Sequence, residues 1–251
     1  MRGIDISNNN PSYDAQQIKN DGIEFVILKA TEGLTFTDPT FASRYAQTKQ
    51  AGLLAGAYCF ARPATSTPQQ EVAHFVDVVN QAGGFESWTE FPHAYVGALD
   101  LEDNGNMDAE ELQGYAITWL NDFEVLTGRK GFLYTNENFF NQYQLHNVID
   151  KTGAELWIAA WGANEPNLKE IMWQNSDAGN LQGVNGHVDT DEIPSSPSPI
   201  PVQPVYHSVV GGDTMYWIAK NNHLTLEELC KLNPQIPDPN KIFVGEQVRI
   251  R

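Results

Sequence analysis

The sequence predicts an α/β protein: an irregular TIM-like (β/α) barrel with few helices, followed by a small α+β module of βααβ type. Short apolar runs alternate with segments of helical spacing through residues 1–193, the helical segments become scarce after residue 143, and a proline-rich stretch then interrupts the pattern. Repeated strand, helix, strand order is typical of a parallel sheet, and about eight strands favour a closed barrel over an open sheet.

The predicted elements follow from the apolar runs and their spacing. Near-continuous apolar character in several runs indicates strands that are covered on both faces. The predicted strands are 2–7, 24–30, 53–61, 93–102, 131–136, 155–161, 170–175 and 187–189, and the predicted helices are 39–52, 69–84 and 108–127. The last helix has Asp108 and Glu111 spaced for a capping box and Gly128 where a C-cap belongs.

The clearest change in composition divides the chain into two domains. Residues 194–204 hold five prolines and three serines, which favour extended polyproline geometry over sheet or helix. We therefore predict a first domain at 1–193, a semi-rigid linker at 194–204 and a second domain at 205–251. The formal charge of −17 reflects 32 Asp and Glu against 15 Lys and Arg, and all of the acidic excess lies in the first domain.

Charge and composition exclude several classes of function. An acidic surface without a run of Lys or Arg disfavours nucleic acid and anionic membranes as partners. No stretch reaches the roughly 18–20 apolar residues that cross a bilayer, and the first residues lack the apolar core of a signal peptide. We therefore expect a soluble protein, made in the cytoplasm without membrane insertion. Cys59 and Cys230 are predicted to be reduced, buried thiols, because free cysteines are often buried, and a disulfide framework is not the source of stability.

Acidic residues in two predicted strands form the candidate site, because the active sites of barrels lie at the carboxyl ends of strands. Side chains alternate along a strand, so Asp5 shares a face with Gly3, and Asp100 shares one with Glu102 at roughly 6–7 Å. Crowding and desolvation of two such carboxyls raise one pKa and keep that acid protonated near neutrality. A glycosidase needs this division. A metal site of hard oxygen ligands and a purely structural carboxylate network are the alternatives.

Aromatic residues in or near the predicted strands favour the glycosidase. Each alone is more often a core residue, but several at one barrel mouth would form a cleft on which sugar rings stack. They are Tyr58, Phe60, Tyr134, Trp157, Trp161 and Trp173. The six histidines form no H-x-x-x-H pair, which disfavours zinc, and we predict no metal or other cofactor.

The first domain resembles glycoside hydrolase family 25, the muramidase family of phage endolysins and of bacterial and fungal wall lysozymes. The resemblance is carried, in order, by GIDIS at 3–7, FVILKATEG at 25–33, FASRYAQTKQAGLLAGAYCFARP at 41–63, ALDLED at 98–103, YTN at 134–136, LWIAAWG at 156–162 and WQNSDAGNLQGVNGHVDTDE at 173–192. It implies an irregular barrel that cleaves the β-1,4 bond between N-acetylmuramic acid and N-acetylglucosamine in peptidoglycan.

The resemblance also implies roles for the acidic residues. Glu102 matches the general acid, and Asp100 matches a partner that orients the substrate acetamido group or tunes Glu102. Asp5 matches an aspartate at the pocket floor, and Asp189 matches that of the family's V-D-x-N element. Asp191 stands where the family usually has Asn, so a carboxylate is added, and we favour Asp189 over Asp191 as the functional residue. Substrate contacts are predicted at Tyr58, Tyr134, Trp161, Trp173 and Asp191.

The second domain resembles a LysM domain through GGDTMYWIAKNN at 211–222, LEELCKLNP at 226–234 and VGEQVRI at 244–250. The resemblance implies that a shallow groove between two loops binds glycans containing N-acetylglucosamine. The implied contacts are Gly212, Asp213, Thr214, Met215, Asn233, Pro234, Gln235 and Ile236. A tight turn followed by a helix cap is the structural alternative for Asp213 and Thr214, and both roles can coexist.

Both resemblances point to peptidoglycan glycan strands as substrate and ligand, because a wall-binding module raises the effective concentration of a hydrolase at an insoluble polymer. We therefore predict an N-acetylmuramidase of the phage endolysin type that reaches the cell wall after release from the host cytoplasm. Retention of configuration is favoured by the resemblance, while a carboxylate nucleophile and the substrate's own acetamido group both remain open. The alternatives in function are a non-catalytic wall-binding protein and a glycosidase of chitin-like polymers.

Overall fold

The computed structural model describes residues 1–162, 166, 168, 171–194, 206–222 and 225–250. The chain divides into two compact units, Met1–Ser195 and Ser196–Arg251, and each is described by itself. The predicted linker lies outside the described residues except for Pro194. None of the described helices is long and apolar enough to span a bilayer.

The elements of the first unit alternate between strands and helices, as the sequence predicts. In chain order they are β1 Arg2–Ile6, α1 Ala15–Asn20, β2 Phe25–Glu32, β3 Phe36–Thr37, α2 Phe41–Gln50, β4 Leu54–Phe60, α3 Pro68–Gln81, β5 Ala94–Asp100, α4 Ala109–Thr127, β6 Lys130–Asn136, α5 Glu137–Gln142, α6 His146–Thr152, β7 Glu155–Ala159, β8 Met172–Gly179 and β9 Val188–Glu192. The eight predicted strands are all present. The short elements α1, β3, α5 and α6 are not predicted.

The described strands of the first unit close into an eight-stranded barrel in the order β1, β9, β8, β7, β6, β5, β4 and β2, with β2 pairing back to β1. The six successive pairs that join β1, β2, β4, β5, β6, β7 and β8 are parallel. β9 runs antiparallel to both of its neighbours, β1 and β8. β3 adds an antiparallel edge to β2. The predicted irregular barrel is confirmed, and the carboxyl ends of the parallel strands meet at one mouth.

Two apolar layers hold the barrel, because alternate residues of each strand face opposite sides. The outer layer joins the strands to the helices and includes Ile4, Leu99 and Leu101. The inner layer fills the barrel with aromatic and branched side chains, among them Phe25, Tyr58, Phe132, Tyr134, Trp157 and Met172. Gly3 lies on the inner face because a Cβ there would stand 2.0 Å from the Phe25 ring.

Helix α4 shows how local sequence fixes an element. The Asp108 carboxylate accepts the N–H groups of Glu110 and Glu111, and the Glu111 side chain accepts the Asp108 N–H, which completes a capping box. Gly128 ends the helix with a φ of 74°, a left-handed conformation that glycine adopts without a Cβ penalty. The buried face of α4 consists of Leu112, Tyr115, Ala116, Trp119, Leu120 and Phe123.

The second unit has the predicted βααβ order. Its elements are β10 Tyr206–Ser208, α7 Met215–Asn221, α8 Leu226–Leu232 and β11 Gln247–Arg249, and β10 pairs antiparallel with β11. The buried core consists of Val209, Met215, Ile218, Ala219, Leu229, Ile236 and Val248. This core contains two of the eight residues for which glycan contact is predicted, Met215 and Ile236.

Candidate active site

Five carboxyl groups converge on the mouth of the barrel. Asp5 lies on the inner face near the end of β1, Asp100 ends β5, and Glu102 follows two residues later. Because β9 is antiparallel, its first residues lie at the mouth, and Asp189 pairs in register with Asp5. Asp191 pairs with Gly3 one step deeper and is buried. The structure therefore brings together all five acidic residues that the sequence predicts.

Gln174 links the carboxyls to the aromatic residues, and sequence reasoning missed it. Its Nε2 donates to Asp5 Oδ2 at 2.7 Å. Its Oε1 accepts both the Tyr134 hydroxyl and Trp161 Nε1 at 3.0 Å. Gln174 is buried, and a polar residue two positions after Met172 of the inner layer is the signal that would have revealed it.

Asp189 and Asp191, both on β9, occupy different environments. Asp191 is buried, with Oδ1 accepting from Trp157 Nε1 at 2.8 Å, while Oδ2 has no hydrogen-bond partner among the described residues. Asp189 is only half-buried. The more accessible Asp189 therefore lies where a substrate can meet it, whereas Asp191 supports the site from below.

Burial raises the pKa of every carboxyl in the cluster, because water that stabilises the charged form is removed. Burial, helped by the charge of Asp177, raises the pKa of Asp189 to about 6. Burial raises the pKa of Asp191 to about 8, although the Trp157 hydrogen bond opposes the shift. The pKa of Asp5 is raised well above its ordinary value by burial and then by the charges of Asp191 and Asp189.

Asp100 and Glu102 share a strand end but not a degree of exposure. Burial and then the charge of Glu102 raise the pKa of Asp100, while nearby Lys29 opposes the rise. Asp100 Oδ1 is buried without a hydrogen-bond partner among the described residues. The Glu102 side chain is exposed, yet desolvation in the concave mouth raises its pKa, with Tyr134 offsetting part of the rise. The exposed Glu102 carboxyl, whose pKa is raised, therefore lies next to the buried carboxyl of Asp100.

The predicted aromatic contacts separate into three groups. Tyr58 and Tyr134 are buried on the inner face, where both rings pack against Trp157 at centroid distances of 6.5 and 4.4 Å. Trp161 is 60% exposed beyond the end of β7 and is anchored through Gln174. Trp173 lies on the outer face of β8, packed against the outer layer, with Nε1 donating to Ala160 O. The structure therefore does not bring Trp173 to the carboxyls, and Gln174 occupies the inward position instead.

Two further observations on the described residues concern metal ligation and thiol chemistry. Among these residues, no group of three or more His, Cys, Asp or Glu side chains is arranged to hold a metal ion. Cys59 is buried as predicted, whereas Cys230 is only partly buried. Burial raises the pKa of the Cys59 thiol far above the ordinary value, so it is not poised as a nucleophile.

In the second unit the predicted glycan-contact residues divide between surface and core. Asn233 is buried and joins the end of α8 to β11 through bonds to Leu229 O and Arg249. Asp213 accepts the Val210 N–H and pairs with His207, and Thr214 caps α7. The exposed part of the predicted set is Gly212, Thr214, Pro234 and Gln235. Met215, Asn233 and Ile236 support these loops and do not form their surface.

Comparison with known proteins adds the family to this geometry. Residues 4–184 match the glycosyl hydrolases family 25, and residues 207–251 match the LysM domain. This chain belongs to glycosyl hydrolase family 25. The second unit is accordingly a LysM domain.

Three proteins illustrate the family relationship. The chain is 31% identical over 202 residues to the autolytic lysozyme of Clostridium acetobutylicum, covering 77% of this chain and 56% of that protein. It therefore spans little more than half of that relative. The bacterial lysozyme from Streptomyces coelicolor shares 26% identity and a TM-score of 0.68 over 78% of this chain and 93% of that one. The CTP1L endolysin shares 28% identity and a TM-score of 0.62, over 77% and 66%.

Proposed function

We propose that this chain is an N-acetylmuramidase, which hydrolyses the β-1,4 bond between N-acetylmuramic acid and N-acetylglucosamine in peptidoglycan. The observation that carries the proposal is the division within the carboxyl cluster. Glu102 is exposed to solvent, whereas Asp5, Asp100 and Asp191 are buried beneath it. Membership of family 25 and similarity to named lysozymes support this substrate class.

Glu102 is the general acid in this proposal. A glycosidic oxygen leaves as an alcohol only if a proton reaches it as the bond breaks, so the acid must be protonated at working pH. Desolvation in the mouth favours the protonated form of Glu102. After the aglycone leaves, the Glu102 carboxylate accepts a proton from water in the second half of the reaction.

Asp189 supplies the negative charge beside which positive charge develops in the transition state. With a pKa of about 6, Asp189 is mostly ionised at neutral pH. An anion beside the sugar ring stabilises an oxocarbenium-like transition state more than it stabilises the neutral substrate. The activation free energy of cleavage is therefore lowered. Asp5, held by Gln174, is placed to fix the reacting sugar or its acetamido group. We propose retention of configuration, which NMR of the first-formed anomer tests.

The aromatic residues and the LysM domain supply binding in this proposal. Trp161 offers an exposed indole face for a sugar ring, with its Nε1 anchored so that the ring is held in place. The LysM domain binds the same polymer through the exposed loop residues Gly212, Thr214, Pro234 and Gln235. Domain bounds at 1–193 and 205–251, joined by 194–204, are part of the same proposal.

The biological setting proposed is that of a phage endolysin, supported by the similarity to the CTP1L endolysin. Such an enzyme is made in the host cytoplasm and acts on the wall after release. Expression inside a susceptible bacterium then causes lysis only when the membrane is permeabilised separately. Lysis without permeabilisation would contradict this setting, while leaving the muramidase chemistry untouched.

Mass spectrometry of products from defined cell walls tests the function directly. We expect soluble fragments with N-acetylmuramic acid at the new reducing end. N-acetylglucosamine ends would instead indicate a glucosaminidase of chitin type, and intact walls would leave only a binding protein. Reactions with and without a metal chelator should proceed at the same rate, since the proposed chemistry uses carboxyl groups alone.

A further inference from the structure

Positive charge is distributed unevenly over the first unit. In a (β/α) barrel, strand starts and helix ends lie at the pole opposite the mouth. Most described cations occupy such positions: Arg2, Arg129 and Lys130 at strand starts, and Lys19, Lys49 and Lys151 in the last turns of helices. The described cations on the mouth side are Lys29, Arg62 and Arg44. Arg44 is buried and donates hydrogen bonds to Ser7 O and Asn10 O.

Arg62 lies beside the catalytic carboxyls. Phe60 pairs in register with Asp100, and the Arg62 guanidinium lies against the Phe60 ring with Cζ 4.5 Å from its centroid. Nε and Nη2 donate to Glu32 Oε1 at 2.8 and 2.5 Å. Nη1 stands 3.5 Å from Asp103 Oδ2. The guanidinium is thus held one strand away from Asp100 and the proposed general acid Glu102.

The backbone around Arg62 is fixed as firmly as its side chain. The Arg62 N–H donates at 2.8 Å to Glu71 Oε1, a carboxylate that is completely buried. Gly33, at a φ of +55°, packs against the Arg62 stem, where a Cβ would stand only 3.2 Å away. A group positioned in advance loses little conformational entropy when a ligand binds, so this arrangement favours recognition.

Arg62 also retains unused capacity. A guanidinium carries five N–H donors, and the contacts to Glu32 and Asp103 engage three of them. Its side chain is 41% exposed, whereas Lys29 is 11% exposed and paired with Glu32. In an otherwise acidic mouth, Arg62 is therefore the accessible cation among the described residues.

The chemistry of the proposed substrate matches this cation. N-acetylmuramic acid differs from N-acetylglucosamine by a lactyl ether that ends in a carboxyl, which is free in bare glycan strands and amide-linked to a stem peptide in intact wall. The stem peptide has carboxylates of its own. A planar guanidinium pairs with a carboxylate through two parallel hydrogen bonds, which an ammonium group does not reproduce.

On the basis of the proposed muramidase function, we propose that Arg62, held by Glu32 against Phe60, is a subsite for a muramyl carboxylate. This subsite makes the enzyme prefer charged muramyl strands to strands in which the same group is neutral. It also explains how a unit with so large an acidic excess accepts an acidic polymer: the binding cation is placed locally, and the overall charge does not attract the substrate.

Cleavage of matched strands tests the subsite. Peptide-free strands are used with lactyl carboxyls either free or amidated, and peptide-bearing strands with stem carboxyls either free or amidated. We expect wild-type kcat/KM to be about tenfold higher for the charged member of at least one pair, the scale of one charge-assisted hydrogen bond. Arg62→Gln should bring that ratio close to one, and Arg62→Lys should restore it only in part. Arg2→Gln, at the opposite pole, should keep the wild-type ratio.

Each outcome has a definite reading. A lost ratio in the peptide-free pair identifies the lactyl carboxyl as the ligand, and a lost ratio in the peptide-bearing pair identifies the stem. A ratio that survives in Arg62→Gln overturns the subsite, as does an equal fall on charged and neutral strands, which would mark Arg62 as structural. If the wild type cleaves every strand without preference, the subsite fails while the muramidase proposal stands. If it cleaves none, the muramidase proposal itself fails.

Discussion

The two units differ in the chemistry of their surfaces, although both are proposed to bind the same polymer. The barrel withdraws Asp5, Asp100 and Asp191 from water, which raises the pKa of each. The LysM domain has five acidic and five basic residues and buries no carboxylate among those described. It exposes apolar side chains instead: Tyr206, Val210, Tyr216, Trp217, Leu226, Phe243 and Val244. A site that keeps carboxyl groups protonated near neutral pH needs desolvation, whereas adhesion to a neutral sugar backbone needs accessible contact area.

The largest expected effect separates chemistry from adhesion. Replacing Glu102 with Gln keeps shape and polarity but removes the proton donor, so we expect turnover to fall by about 100-fold or more. Retention on purified walls, measured by sedimentation, should stay at the wild-type level. Glu110→Gln, an exposed change at the start of α4, is the matched control and should leave both properties intact. Near-normal turnover by Glu102→Gln would overturn the assignment of the general acid.

Removal of residues 195–251 makes the converse change. Without the LysM domain, the barrel loses its second attachment to the wall, and we expect binding to insoluble walls to weaken by about tenfold or more. Turnover of soluble fragments should change less than twofold, because they are not concentrated by adhesion. Comparing sedimentation with kinetics on soluble fragments checks both halves. An equal loss on soluble fragments would show that the second unit contributes to catalysis.

The sequence predicted the barrel and its acidic residues because both depend on local patterns. Period-two alternation is sufficient to place Asp5 and Asp100 on the inner face, and the spacing of Asp108, Glu111 and Gly128 is sufficient to bound α4. The eight strands likewise follow from runs of apolar residues. Short elements such as α1 and β3 carry too few residues for a period to be recognised.

The register of β8 was not predictable in the same way. A shift of one residue exchanges the two faces of a strand, and a single sequence does not fix which residue begins the pairing. The sequence predicts a substrate contact at Trp173, whereas the neighbouring Gln174 is the residue on the inner face and joins Asp5 to Tyr134. Burial of Met215, Asn233 and Ile236 in the LysM domain depends on tertiary packing, which motif similarity does not reveal.

A third effect concerns stability in the barrel and has a defined sign. The pKa of Asp191 is about 8 in the folded unit, against about 3.9 for an unfolded chain. The folded state therefore holds the proton more tightly, and this contribution to stability is complete below about pH 4 and lost as the pH rises to about 8. For one proton the slope is at most about 1.4 kcal/mol per pH unit.

Asp191→Asn tests that contribution. Asn has nearly the same shape, accepts the Trp157 N–H and carries no titrating group. We expect the free energy of unfolding to depend less on pH between about 4 and 8 in the variant than in the wild type, measured by urea titration with tryptophan fluorescence. Asp150→Asn, an exposed change on α6, serves as control. Parallel pH curves for wild type and Asp191→Asn would show that the proton of Asp191 is not linked to folding.

The smallest effect has the opposite sign and lies in the LysM domain. Asp213 pairs with His207 and accepts the Val210 N–H, and these two interactions hold the pKa of Asp213 below the usual value. That contribution is present above about pH 4, where unfolded aspartate is ionised, and is lost as the pH falls further. Asp213→Asn should therefore speed hydrogen exchange at the Val210 amide at neutral pH, and the difference from wild type should shrink toward pH 3.

Asp238→Asn, in a turn remote in sequence from Val210, should not change that exchange. A difference that persists at low pH would mean that Asp213 shapes the loop by packing and not by charge, and the contrast between the two units would then apply to the barrel alone.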